Sequence, residues 1–154
     1  MKNLLDWAEQ HALENIRFHL GTADTLAKEA TTTLTLLLAG AGGTMAHAVQ
    51  GLNKETMSDS HVASIVLAVY LVFISATLVY KCMRVAPIPA PTNEPKNIYQ
   101  PKYKLDDLRE AELNNLQTRI TDSVKRNDSV ATWLNFIRFF AVFSPVIWVL
   151  VFYL

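Results

Sequence analysis

The chain of 154 residues has one cysteine, five glycines and no surplus of either charge. A lone Cys82 excludes an intrachain disulfide framework and a multi-cysteine metal site. Fourteen Lys and Arg are matched by fourteen Asp and Glu, so the formal net charge is zero. A nucleic-acid binder would show a basic excess, and a chain kept soluble by self-repulsion would show an excess of one sign. Charge is scarce in itself, at 18% against roughly 25% in ordinary soluble domains. Catalytic signatures are missing too. There is no phosphate-binding glycine loop, no paired-cysteine zinc pattern and no HExxH. Gly40, Gly42 and Gly43 do not form a GxGxxG and no strand precedes them. The expectation is a non-enzyme with no cofactor, no metal and no direct nucleic-acid partner.

What is present is apolar and unevenly distributed. Residues 30–53, 60–80 and 139–154 contain no Asp, Glu, Lys or Arg. The first two are long enough as helices to cross a hydrocarbon core of ~30 Å at ~1.5 Å per residue. The third has 16 residues and extends backwards through 129–137 if Arg138 snorkels to the interface. A soluble bundle with three buried helices is the bland alternative, but it rarely needs twenty uncharged residues in a row. The sequence therefore reads as an all-α integral membrane protein with three transmembrane helices. An amphipathic helix precedes them, and a cytoplasmic helix continues toward the last.

The expected organisation is a cytoplasmic N-terminal helix over 1–29 and a helical hairpin over 30–80. The hairpin's spans are 30–50 and 62–80, joined by an outer loop at 51–61. A Pro-rich cytoplasmic linker at 81–104, a cytoplasmic helix at 105–128 and a third span at 129–154 follow. Lys and Arg number three in 1–29, one in 51–61 and ten in 81–138. The positive-inside rule then places the N-terminus and 81–138 in the cytoplasm and the C-terminus outside, in a multi-pass bacterial inner-membrane protein. Asp6, Glu9 and Glu14 interrupt any signal-peptide core, so the first span is expected to be its own insertion signal.

Within 3–20, Leu4, Leu5, Ala8, Ala12, Leu13, Ile16 and Leu20 share one helical face. Its polar face is not basic, which favours packing on the protein over lying on lipid. Gly21 is a candidate stop. The first span is rich in Ala, Gly and Thr. Ala39 with Gly43, and Gly42 with Ala46, form two small-xxx-small pairs. Together with Gly40 and His47 they are the candidate packing or pore-lining residues, and the span is expected to be buried inside the protomer or at an oligomer axis. The second span, of Val, Ile, Leu, Ala and aromatics, is expected to face lipid.

Five of the six prolines fall between Pro87 and Pro101, which predicts an extended, semi-rigid spacer. Leu108, Leu113, Leu116, Ile120 and Val124 then form one apolar stripe. It docks on the N-terminal helix or on another copy. No proline or glycine occurs from Lys102 to Ser144, so this helix can run into the last span, with a candidate break at Asn127-Asp128-Ser129 and a kink at Pro145.

Four histidines need placing. His11 and His19 read as surface residues and His61 as solvated in the outer loop. His47 stands either as a functional ionisable group in a span or at the outer interface. Asp24 and Lys28 read as an exposed i,i+4 pair or as a cytoplasmic pore mouth. Arg138 is an interfacial anchor or a partner of Asp24 or Glu29.

The Ala23-Asp24-Thr25-x-Ala27-Lys28 lead-in to a small-residue-rich span, within 23–43, resembles the Pycsar transmembrane effectors of bacterial antiphage defence. A second span, a cytoplasmic excursion and a terminal span complete the likeness in layout. The present chain has three spans rather than four and carries no cyclic-nucleotide domain. The resemblance implies an inner-membrane effector that self-assembles, contacts membrane lipids and compromises the membrane on infection, with a cytoplasmic sensor or partner protein as trigger. A prophage holin or superinfection-exclusion protein, and a non-pore scaffold subunit tethering a cytoplasmic partner, are the alternatives.

Overall fold

The computed structural model describes residues 4–52, 57–85 and 89–154. Lys2, Lys54 and Pro87, which enter the topology and linker readings, lie outside the described residues. All regular structure among the described residues is helical: α1 (Leu4–Leu52), α2 (Asp59–Cys82), α3 (Pro95–Ile98), α4 (Leu105–Val142) and α5 (Ser144–Tyr153).

Two helical stretches are long and apolar enough to cross a membrane, Asp59–Cys82 and Leu105–Tyr153. α1 is not one of them, so the expected three spans reduce to two on this measure. The reason lies in its composition. Glycine and threonine dilute the leucines of its second half, and His47 opposes them.

The helix ends also differ from expectation. Gly21 does not stop α1, which runs on for 49 residues. A glycine ends a helix by taking a positive φ, and no described glycine does so. α4 likewise passes through Asn127-Asp128-Ser129 without a break. The interruption comes at Phe143, with φ −81° and ψ −3°, between α4 and α5. Pro145 causes it. Proline has no N–H to give the carbonyl four residues back, and its ring crowds that carbonyl. The carbonyl is that of Ala141, and the Ser144 hydroxyl donates to it at 2.7 Å. A neighbouring side chain thus replaces the missing donor.

The chain divides into two compact units. One comprises Met1–Leu26 and Val85–Ser129, the other Ala27–Arg84 and Val130–Leu154. In the first, Ile16 of α1 meets Leu116 and Ile120 of α4. Ala12, Leu13, Leu20 and Val124 pack round them. Leu108 and Leu113 of the same stripe are half-buried. Asn127, itself buried, donates to the backbone carbonyl of His19 at 2.8 Å. Threonine or leucine at 127 would leave that contact unmade. Arg109 grips Glu9 with both ends of its fork, Nε at 2.8 Å and Nη2 at 2.7 Å, and Nη2 also reaches Asp6. These bonds with Glu9 and then Asp6 push the guanidinium pKa further up, so Arg109 stays charged throughout. Lysine cannot reproduce the two-pronged geometry. Arg109→Lys should therefore speed amide exchange over residues 4–12. An unchanged exchange rate would show that the fork holds nothing.

The linker is not a simple extended spacer. Pro95 occupies the start of a single helical turn, α3, where its missing N–H costs nothing. Asn93 Nδ2 donates to Glu112 at 3.1 Å, and Arg119 donates to the Ala90 carbonyl at 3.4 Å. The linker is thereby fastened to α4.

In the second unit α2 is two-sided: Val62, Val66, Val69, Val72, Phe73 and Val79 are exposed, as its lipid-facing reading expects, while the other face is packed. Ala63, Ser64, Leu67, Ala68, Leu71, Ile74, Ser75 and Leu78 are buried. α5 packs on it, with Trp148 Nε1 donating to Ser64 at 3.4 Å. Tyr70 donates to the Phe140 carbonyl at 2.9 Å. Cys82 is a buried free thiol directed at the Val130 carbonyl. The Lys81 ammonium lies 4.6 Å from the Trp133 ring centroid.

Candidate functional site

The second unit holds three features of interest. The first is a charged contact inside the helical assembly. Thr33 and Glu29 lie one turn apart on α1, so their side chains share a face. Arg138 of α4 is held by both: Nη1 donates to Glu29 Oε2 at 2.9 Å and Nε to Thr33 Oγ1 at 3.2 Å. Thr33 in turn donates to the Glu29 carbonyl at 2.8 Å. Thr33 is buried, while the two charged side chains are a little under half exposed. Of the two partners considered for Arg138, the structure selects Glu29. Asp24 and Lys28 are each exposed, and neither makes an ion pair among the described residues.

The second feature is an imidazole pair. His61 is not solvated: it lies in the first turn of α2 and is only 5% exposed. Its ring stacks on that of His47, with centroids 4.8 Å apart and planes 10° apart. Ser58 Oγ bonds its Nδ1. His47 itself is exposed. Sequence reasoning missed this pairing because Gly51 makes it. A Cβ on Gly51 would collide with the His61 ring and Cβ, so only glycine admits the imidazole there. Gly51→Ala should destabilise the protein by roughly 1–3 kcal/mol, the usual cost of forced overpacking. Gly42→Ala, in open space, should instead stabilise it slightly, by about 0.5–1 kcal/mol. Thermal unfolding in detergent compares the two. Equal midpoints would contradict the Gly51 contact.

The third feature is the small-residue face of α1. The residues that α1 buries here are Ala30, Thr33, Leu37, Ala41, Ala48 and Gly51. They define its contact face, and most of the sequence-derived set lies off it. Ala39, Gly42, Gly43 and Ala46 are exposed, and nothing lies within 4 Å of a Cβ built on Gly42 or Gly43. Gly40 alone turns inward, where a Cβ would sit 3.3 Å from Leu71 Cδ1. Of the two places expected for this span, the protomer interior is thus excluded for both small-xxx-small pairs.

The threonines of α1 are less polar in effect than in composition. Thr31, Thr32 and Thr35 donate to the carbonyls of Ala27, Lys28 and Thr31, at 2.9 to 3.1 Å. Their hydroxyl donors are satisfied within the helix. The outward side of α1 therefore carries a track of small side chains and internally bonded hydroxyls, flanked by exposed Leu36, Leu38, Met45 and Val49. Among the described residues no group of three or more His, Cys, Asp or Glu is placed to hold a metal.

No family model, curated protein or solved structure matches this chain.

Proposed function

We propose that the protein is a small homo-oligomer of the bacterial inner membrane whose assembly breaches that membrane, as an abortive-infection effector of antiphage defence. The observation that carries this reading is the outward track of Ala39, Gly42, Gly43 and Ala46. In lipid there is little hydrophobic drive between helices, and small residues serve by letting backbones approach closely. Inside the protomer the track has no neighbour to serve. A second copy gives it one.

In this reading α1 supplies the third crossing through residues 30–50, with the N-terminus and 81–138 cytoplasmic and the C-terminus outside. The bonded threonines make this crossing compatible with lipid, and the Glu29–Arg138 contact lies at its cytoplasmic end. Asp24 and Lys28 stand at the mouth of the assembly and His47 near its outer end. The resemblance to Pycsar effectors supplies the defence context.

Two measurements test the proposal. Cysteine placed at Ala46 in a Cys82→Ala background should cross-link into dimers and higher species in native membranes. Expression should depolarise cells. Monomers throughout, with intact potential, would overturn it. The scaffold alternative is second, because the first unit has its own core and its own fastened linker, more cytoplasmic structure than a holin needs. A stoichiometric soluble partner and no conductance in liposomes would favour it.

A further inference from the structure

The first unit contains a cleft of about 710 Å³, within the range of small-molecule sites. Its walls come from α1, α3 and its flanks, and the first turns of α4. Nothing in the proposed membrane role uses it. We infer that this cleft binds a small organic polycation, of the linear polyamine kind.

The charge on its walls sets the preference. Glu9, Asp107 and Glu112 line it against a single cation, Arg109. Arg109 is already committed to Glu9 and Asp6, so no cation remains to receive a phosphate or carboxylate. Glu112 is shared between Asn93 and Arg119. Asp107 makes no hydrogen bond or ion pair among the described residues, and neither does Asn115. Both line the cleft and are exposed.

The remaining polar lining is amide. Asn97 and Gln100 add carbonyl oxygens suited to N–H donors, while that of Asn93 already accepts from the Glu94 N–H and from Asn97. Tyr103, 63% exposed, offers a ring face, to which an ammonium is attracted. Leu108 and Ala111 give the methylene chain of such a ligand an apolar floor. Carboxylate, amide oxygen, aromatic face and aliphatic floor together match a chain of methylenes carrying protonated amines. They match an anion poorly.

The test uses the full chain in zwitterionic phosphatidylcholine nanodiscs, where the lipid itself does not attract amines, with spermidine as the probe. Calorimetry should show saturable binding at one site per chain. Asp107→Asn should weaken it about tenfold, the loss of one charge-assisted contact. Asn115→Leu should weaken it as well. Neither side chain has a partner to lose, so both variants should keep their helicity. Asp128→Asn, at an exposed acid of α4 outside the cleft, should leave affinity unchanged. Three results would overturn the inference: no binding of spermidine, equal weakening by Asp107→Asn and Asp128→Asn, or displacement of spermidine by inorganic phosphate. Because the readout is binding, the outcome does not depend on whether the protein breaches membranes.

Discussion

Replacing Gly42 and Gly43 together by leucine should abolish both self-association and depolarisation while leaving the protomer folded. The second half of that statement follows from the open space around both positions. A leucine at either one extends into open space around the protomer. It also improves helix propensity by close to 1 kcal/mol per position. Any loss of activity therefore reports on contacts between copies rather than on misfolding. The loss should be large. Two leucines hold helix axes apart that small residues let approach, and the dispersion contacts of the track vanish together. Dimer affinity in lipid should fall at least about tenfold, some 1.4 kcal/mol. Gly40→Leu is the contrasting variant. It would drive a side chain into Leu71 and should lower thermal stability whatever the oligomer does. Full depolarisation by the Gly42→Leu, Gly43→Leu protein would remove the track from the mechanism.

The second large effect is expected at Glu29 and Arg138. An unpaired arginine at the centre of a membrane helix costs about 2.5–3.5 kcal/mol, and less toward its end, where the proposal places this contact. Here both side chains are a little under half exposed, so a discounted cost of roughly 1–2 kcal/mol is appropriate for Glu29→Leu. Arg138→Leu leaves the carboxylate alone and Thr33 with one partner fewer. It should cost a similar amount. The double variant removes both charges and should recover most of the stability, because apolar replacement of an ion pair is often near neutral. Thermal unfolding of the four proteins gives the coupling directly. Additive losses in the double variant would mean that the two groups act separately, the anchor reading of Arg138 included.

The two long apolar stretches were readable because a run of uncharged residues leaves few ways to fold. Arg138 was readable as an interfacial anchor or as a partner of Asp24 or Glu29, and only the packing of α4 on α1 decides for Glu29. Other features needed information that no local pattern holds. Gly21 looks like a stop by type, yet the residues beyond it are good enough helix formers to carry α1 onward, and a stop requires a chain reversal that this helix does not make. His61 looks solvated because it follows a polar loop. Its burial depends on Gly51, on another helix, leaving room for its ring. The glycine cluster of α1 signalled close approach and Gly40 makes one, whereas Gly51, outside that cluster, makes the tighter one and went unread. For Gly42 and Gly43 the same signal has no target within one chain, and periodicity could not tell the two kinds apart. The cleft was invisible for a further reason. Its walls meet only when the linker folds back, and proline spacing alone suggested an extended path.

The Ser144 hydroxyl that serves the Ala141 carbonyl has a mechanical consequence. It is a tether across a joint. With it in place, the bend before α5 is a fixed elbow, and α5 keeps one heading against α2. A backbone carbonyl cannot stand empty in a medium without water, so the elbow stays shut until another donor arrives. Ser144→Ala would leave that carbonyl without its side-chain donor and loosen the joint, while packing on α2 and the Trp148–Ser64 bond still hold α5.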